Sequence, residues 1–259
     1  MMKKSLEIGT VAGLGFGLVS IFGSFLMEGG RIGALIMIPA MTIVFGGTFA
    51  TAMIGTSFKQ FAKIWKFAII AFMPPKHDVD KLIDSIVNYA TVARKDGLLA
   101  LEKDLNGIDH AFLKKMLRFA IDGTDPQTMR AVADAEMGFL NERHVSNAQI
   151  FQKMGGYSPT MGIIGTVMGL IVTLANAGGN PNDLIHHIAT AFIATLWGIF
   201  MANIVWLPLA DKLKTIHAEE NLVMEVTLEG VLSLQAGEIP AIVRAKLRSM
   251  LPTSEQGDL

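Results

Sequence analysis

From Tyr157 to Leu174 the chain carries no charged side chain, and its glycines, Gly162, Gly165 and Gly169, recur at three- and four-residue steps. On a helix those steps fall on one face, where missing side chains let a second backbone come close. Pro159 suits a first helical turn, because its absent N–H would be unpaired there in any case. Thr160, Thr166 and Thr173 add hydroxyls to an otherwise apolar rod. The stretch therefore reads as a membrane helix packed against partners, with a sparse polar track along it.

The whole composition agrees. Of 259 residues, 51% are hydrophobic and 17% charged. That profile excludes disorder and points to a polytopic membrane protein. A net charge of −1 gives no global basic bias toward nucleic acid, and the absence of cysteine excludes disulfides and thiolate metal sites. Met1-Met2-Lys3-Lys4 and the apolar run behind it resemble a signal peptide. The run is too long and lacks a small-x-small cleavage site, so it reads as a first anchor.

Four spans are expected, at roughly Leu6–Met27, Ile32–Phe58, Gly155–Ala177 and Leu184–Leu209, each near the 20 or so apolar residues that cross a bilayer. Only Glu28-Gly29-Gly30-Arg31 separates the first two, so residues 1–58 form a transmembrane hairpin. Gly13-Leu14-Gly15-Phe16-Gly17 mimics a dinucleotide-binding loop, but no strand precedes it, and helix packing is the better reading. Residues 59–153 carry interleaved charges at helical spacing and form a helical domain outside the membrane. In it, Asp78 and Asp109 are expected helix caps, and Gly97 breaks the first helix before a short one through Leu98, Leu101 and Leu105. Phe112, Leu113, Met116, Leu117 and Ala120 form a buried face, and Gly123-Thr124-Asp125-Pro126 stops one helix and starts the next. Residues 154–209 hold spans three and four. Residues 210–259 form a charged helix from Asp211 to about Leu234, a break at Gly237-Glu238-Ile239-Pro240, a short basic segment to Leu251-Pro252 and a frayed end. The fold class is all-α.

Lysine and arginine set the expected orientation. The two short loops hold Arg31 alone, whereas the other side has Lys3, Lys4, Lys59, Lys63, Lys66, Arg143, Lys153, Lys212 and Lys214. By the positive-inside rule both termini and the charged domain are cytoplasmic.

Enzyme motifs are absent: no Walker loop, zincin pair or Gly-x-Ser-x-Gly occurs. His186-His187 are adjacent, so they do not face one another on a helix, and they read as interfacial residues rather than metal ligands. Ion pathways through membranes usually need an ionisable side chain, yet the middles of spans two, three and four have no Asp, Glu, Lys or Arg. What remains is a hydroxyl line of Thr160, Thr166, Thr173, Thr190 and Thr195. Either each hydroxyl bonds back to its own helix, or the line borders an ion path whose carboxylate belongs to another chain.

The pattern resembles the MotA family of flagellar stator subunits. The similarity rests on Ser158–Leu170, on Ala191-Phe192-Ile193-Ala194-Thr195-Leu196-Trp197-Gly198-Ile199, on Pro208 and on Glu229-Gly230-Val231-Leu232. Ala93–Glu102 adds the family's Arg and Leu-Glu segment. The resemblance implies a homo-oligomeric ring in the bacterial inner membrane around a MotB-type, peptidoglycan-anchored partner. That partner's single helix would supply the ion-binding aspartate. It implies that Pro159, Thr166, Ala194, Thr195 and Pro208 lie on or near the ion path. Arg94 and Glu102 would touch the FliG-type rotor switch protein. Sodium-type members tend to carry two successive threonines where this chain has Ala194-Thr195, so the transported ion is expected to be H+ rather than Na+. No cofactor or metal is implied. Two other readings stand beside it: a TolQ- or ExbB-like subunit energising the outer membrane, and a passive helical scaffold. The hairpin of spans one and two and the Arg94–Glu102 segment argue against the TolQ and ExbB reading.

Overall fold

A computed structural model describes residues 6–76, 78–176 and 178–256. Lys3 and Lys4 of the orientation argument, Ala177 at the expected end of span three and the last residues of the tail lie outside them. Every element among the described residues is helical. Helix α1 covers Ile8–Met27, and α2 covers Ile38–Ile54 after a 3-10 turn at Ile32–Leu35. Short helices α3 (Phe58–Phe61) and α4 (Ile64–Phe72) follow. Next come α5 (Val79–Asp96), a 3-10 run at Leu98–Gly107 and α6 (Ala111–Ile121). Two long helices, α7 (Pro126–Ala175) and α8 (Pro181–Gln235), precede α9 (Pro240–Ser249). Packing separates an apolar unit, Ser5–Pro74 with His144–Lys214, from a charged unit built on Pro75–Arg143 and Thr215–Leu259.

Among the described residues three helices, α1, α7 and α8, are long and apolar enough to cross a membrane. The expected second span, Ile32–Phe58, is instead the shorter helix α2. Pro39 lacks an N–H and is tolerated only in a first turn, so the helix starts at Ile38 and Met37 stays extended (φ −117°, ψ 110°). At the other end Gly55 closes it, and Ser57 opens α3 by accepting from the Gln60 N–H at 3.3 Å. The composition boundary near Lys59 is not a packing boundary. Ile64, Phe67 and Ala71 of α4 are buried in one cluster with Ile150, Phe151, Met154 and Trp206. Of the α1 glycines, only Gly17 packs on a neighbour, Ile204; a Cβ at Gly13 or Gly15 would meet nothing within 4 Å.

Two prolines, Pro159 and Pro208, lie inside the long helices. Pro159 is not in a first turn but inside α7, because the apolar stretch continues the charged helix without a break. Pro208 does not end α8 either. A proline cannot donate to the carbonyl four residues back and its ring presses on it; a π-helical turn at Met201–Trp206 directly before it takes up the misfit. The expected fourth span and the charged helix behind it are therefore one helix. The Asn203 amide, inside the turn, donates to the Ile199 carbonyl at 2.9 Å.

The charged unit is built from amphipathic helices closed by polar caps. Asp78 accepts from the Lys81 N–H at 3.1 Å, and Asp125 from Gln127 and Thr128 at 3.0 and 3.1 Å. The cap of α6 is His110, whose Nδ1 accepts from Leu113 at 3.2 Å, rather than Asp109. Gly97, at φ +84°, ends α5, and the following segment is a 3-10 run that buries Leu101 and Leu105. Phe112, Leu113, Met116, Leu117 and Ala120 are all buried, in one core with Ile83, Ile86, Met129, Val226 and Leu247. Gly230 lets this core close: a Cβ there would lie 2.8 Å from Ile86 Cγ2 and 3.1 Å from Leu247 Cδ1.

Beside Gly230, Glu229 is the hub of a charge network. Its Oε2 lies 2.7 Å from Arg130 Nη2 on α7 and its Oε1 2.5 Å from Lys246 Nζ on α9. The Lys246 hydrogen bond, helped by Arg130 and opposed by burial, holds the Glu229 carboxyl below its ordinary value. The bond to Glu229 likewise holds Lys246 above its ordinary value. A depressed carboxylate stabilises the fold above its unfolded pKa, about 4.3, and loses that contribution as pH falls through the lower folded value. The Lys246 share needs the same ionised pair, so it fades in acid with the Glu229 carboxylate and in base as pH rises past the usual lysine pKa, about 10.4. Glu229→Gln should therefore cost about 1–2 kcal/mol at pH 7, and the gap to the parent should shrink below about pH 4. Thermal unfolding at pH 7 and pH 3.5 checks this; an equal gap at both pH values refutes it.

Candidate ion path at a glycine seam

Where α7 and α8 run side by side in the apolar unit, contact is made by backbone and methyl groups. A Cβ at Gly162 would lie 2.9 Å from the Ala194 carbonyl, and one at Gly198 would lie 2.7 Å from the Ser158 carbonyl. Cβ atoms at Gly165 and Gly169 would lie 2.7 and 2.9 Å from the Cβ atoms of Ala194 and Ala191. The glycine face of α7 thus meets a small-residue face of α8, an arrangement that holds helices through dispersion at close range.

In the middle of this seam the hydroxyls of Thr166 and Thr195 touch. Thr166 Oγ1 also lies 2.9 Å from the Ala191 carbonyl across the seam and 3.1 Å from the Gly162 carbonyl of its own helix. The other threonines bond back to their own helices: Thr160 to Tyr157 at 2.7 Å, Thr173 to Gly169 at 2.8 Å and Thr190 to His186 at 2.9 Å. Of the five hydroxyls, two form a pair between helices and three do not.

Ala194 is 1% exposed and pressed against Gly165, so no side-chain oxygen stands there. It also borders a cavity of about 350 Å³ whose wall includes Ile43, Met168, His187 and Thr190. His186 and His187 rings are 6.2 Å apart and tilted by 58°, which is not a chelating pair. Pro159 is half-buried one turn before Gly162, and Pro208 is exposed beyond the π turn. Arg94 and Glu102 lie in the charged unit, both exposed, on either side of Gly97.

Sequence reasoning passed over Ser158. Its side chain is fully buried, and its hydroxyl has no hydrogen-bond partner among the described residues. The signal was available: Ser158, Gly162 and Thr166 are four residues apart and share the seam face. It also passed over Trp197, whose indole N–H donates to the Leu35 carbonyl at 2.8 Å and ties the turn before α2 to α8.

The seam has no carboxylate, lysine or arginine, and the imidazoles of His186 and His187 border the cavity beside Ala194. Tyr157–Leu174 and Leu184–Leu209 contain no Asp, Glu, Lys or Arg. Glu7, at the start of α1, pairs with Lys212 at 2.8 Å. The seam can orient hydroxyl protons and offer carbonyl oxygens, but it holds no carboxylate to bind and release an ion.

Comparison with known proteins places this arrangement. Residues 104–226 match the MotA/TolQ/ExbB proton channel family, and residues 11–97 match the motility protein A N-terminal model. Motility protein A of Bacillus subtilis (strain 168) is 35% identical over 256 residues, covering 98% of this chain and 93% of its own. A solved structure of C. jejuni MotAB superposes with a TM-score of 0.91 at 29% identity, covering 96% of this chain and 97% of that one. The flagellar MotAB stator complex from Bacillus subtilis gives 0.89 at 34% identity, with 95% and 96% covered. Matches of this extent, the motility-specific N-terminal segment among them, assign a membrane-embedded stator subunit: the chain belongs to the motility protein A family, within the MotA/TolQ/ExbB proton channel family.

Proposed function

We propose that this chain conducts ions as the A-type subunit of a flagellar stator and turns their flow into torque on the rotor. It does so as a homo-oligomeric ring around a MotB-type partner in the bacterial inner membrane, both termini cytoplasmic. The observation that carries the reading is the uncharged seam with one inter-helix hydroxyl pair, Thr166–Thr195, and no acid of its own. Such a seam needs a carboxylate from a second chain, and the similar solved structures are of MotAB complexes. Each unit charge that crosses releases about 2.3 kcal/mol per 100 mV of membrane potential, which is the energy available for rotation. Ala194, with no side-chain oxygen, supports H+ over Na+: a sodium site must replace a hydration shell with several oxygens, whereas a proton needs an acceptor and a water chain. Lys59, Lys63 and Lys66 after α2, and Lys212 and Lys214 in α8 beyond its apolar part, support the stated orientation. The role is that of a motor and transport subunit, not an enzyme.

The test is ion flux in vesicles containing the chain with a MotB-type partner, with a pH-sensitive dye inside. Thr195→Val and Thr166→Val should each lower proton flux about tenfold, as loss of one well-placed hydrogen bond implies. Thr195→Ser and Thr166→Ser should keep most of it. Parental flux in both valine variants removes the pair from the path. Flux that follows a sodium gradient at zero proton gradient overturns the choice of ion, and no flux in the parent complex supports a passive scaffold.

A further inference from the structure

We propose that the elbow formed by α3 and α4 is a binding site for an anionic phospholipid, with the headgroup on a lysine row and an acyl chain in the adjoining groove. This rests on the chain being membrane-embedded and not on its conducting ions.

The elbow has two sides of opposite character. One is anchored in the apolar unit: Ile64, Phe67 and Ala71 are buried, and the Gln60 amide donates to Ser146 Oγ at 2.8 Å. The other is open. Phe58 of α3 is 73% exposed, as are Trp65 (67%) and Ile69 (54%), one turn apart on α4. Beside these run Lys59, Lys63 and Lys66, all exposed and without an ion pair among the described residues. An open groove of about 570 Å³ lies beside the aromatic row, walled by Phe49, Met53, Phe61 and Trp65.

Adjacent rows of unpaired lysine and exposed aromatic side chains match the boundary between headgroups and acyl chains, where aromatic rings settle and lysines reach outward. The elbow also follows directly on α2, where an apolar helix ends. A zwitterionic headgroup would leave the lysine row unneutralised; a phospholipid with net negative charge answers both rows at once. Near an anionic surface each lysine contributes about fivefold to binding.

The experiment uses the chain with its partner in phosphatidylcholine nanodiscs carrying a minor fraction of brominated lipid, read by tryptophan fluorescence. Bromine on an acyl chain quenches a nearby indole, and the part due to Trp65 is the difference between the parent and Trp65→Phe. Brominated phosphatidylglycerol should quench Trp65 several-fold more than brominated phosphatidylcholine at the same mole fraction. The triple variant Lys59→Gln/Lys63→Gln/Lys66→Gln, altered only at exposed positions, should lose that preference and keep the quenching common to both lipids. Equal quenching by the two lipids in the parent overturns the proposal, since the face would be lipid-exposed without selectivity. Absence of quenching by either also overturns it, because protein, such as a second copy of the chain, would then cover the groove. A preference that survives in the triple variant removes the lysines from the site.

Discussion

Gly198→Ala should loosen the α7–α8 seam by about 1–3 kcal/mol, and Gly198→Val should abolish the folded complex. The added Cβ of Gly198→Ala would lie 2.7 Å from the Ser158 carbonyl and 3.1 Å from Gly162 Cα. Both are backbone atoms, so no side chain can rotate out of the way and the helices must separate. Separation would pull Thr195 from Thr166, so ion flux should fall along with stability. Gly156→Ala is the control: it sits on α7, where a Cβ meets nothing within 4 Å, and should be neutral or slightly stabilising. Heating the solubilised complex and measuring the fraction still assembled compares the two. If Gly198→Ala and Gly156→Ala melt alike, the seam is not the tight contact described here.

The second large effect concerns rotation. Reversing Arg94 and Glu102 together, as Arg94→Glu/Glu102→Lys, should remove most motility while folding changes by less than about 0.5 kcal/mol. Both residues are exposed, and substitutions at such positions are usually near neutral for stability. Gly97 between them, at φ +84° with open space around it, turns the chain so that the two charges flank a bend. Charges at the rim of an interface steer encounter and reject like-charged partners more than they add affinity. The double reversal should therefore leave partner assembly and ion flux intact and stop rotation, with partial rescue by opposite reversals on the rotor. Single reversals should be milder. Normal swimming under heavy load in the double variant would move the rotor contact elsewhere, to Lys95, Asp96, Lys114 or Arg118. Lys115 is a weaker candidate, since it is already paired with Glu136 at 2.7 Å.

How far the sequence revealed these sites depended on the kind of signal. The seam was legible because glycine spacing is itself geometric: Gly162, Gly165 and Gly169 share a face at any helical register. The core of α6 was legible for the same reason, through the spacing of Phe112, Leu113, Met116, Leu117 and Ala120. The lower limit on α2 was also present in the sequence, at Pro39, but a continuous apolar composition hid it. Pro159 and Pro208 carry the opposite lesson. A proline signals a lost hydrogen bond and not where the loss is absorbed, and a π turn leaves no mark in hydrophobic periodicity. His110 displaced Asp109 as a cap because either side chain can accept from a backbone N–H, and one residue of register decides between them. The outcome for the hydroxyls turned on a neighbour that periodicity does not name: Thr166 faces Thr195, while Thr173 bonds its own helix and Thr190 bonds its own helix and the Met37 sulfur at 3.0 Å.

A contact made of glycine and alanine has almost no rotamer freedom to lose when it closes. Its tightness therefore does not depend on the one polar pair inside it. The Thr166 hydroxyl is one rotor with a single proton and three oxygens in reach: Gly162 carbonyl, Ala191 carbonyl and Thr195 Oγ1. Turning about one side-chain bond moves that proton from one helix to the other while the backbones stay where the glycines put them. The stiff seam thus leaves this rotor loose at the point where hydroxyls of the two helices meet.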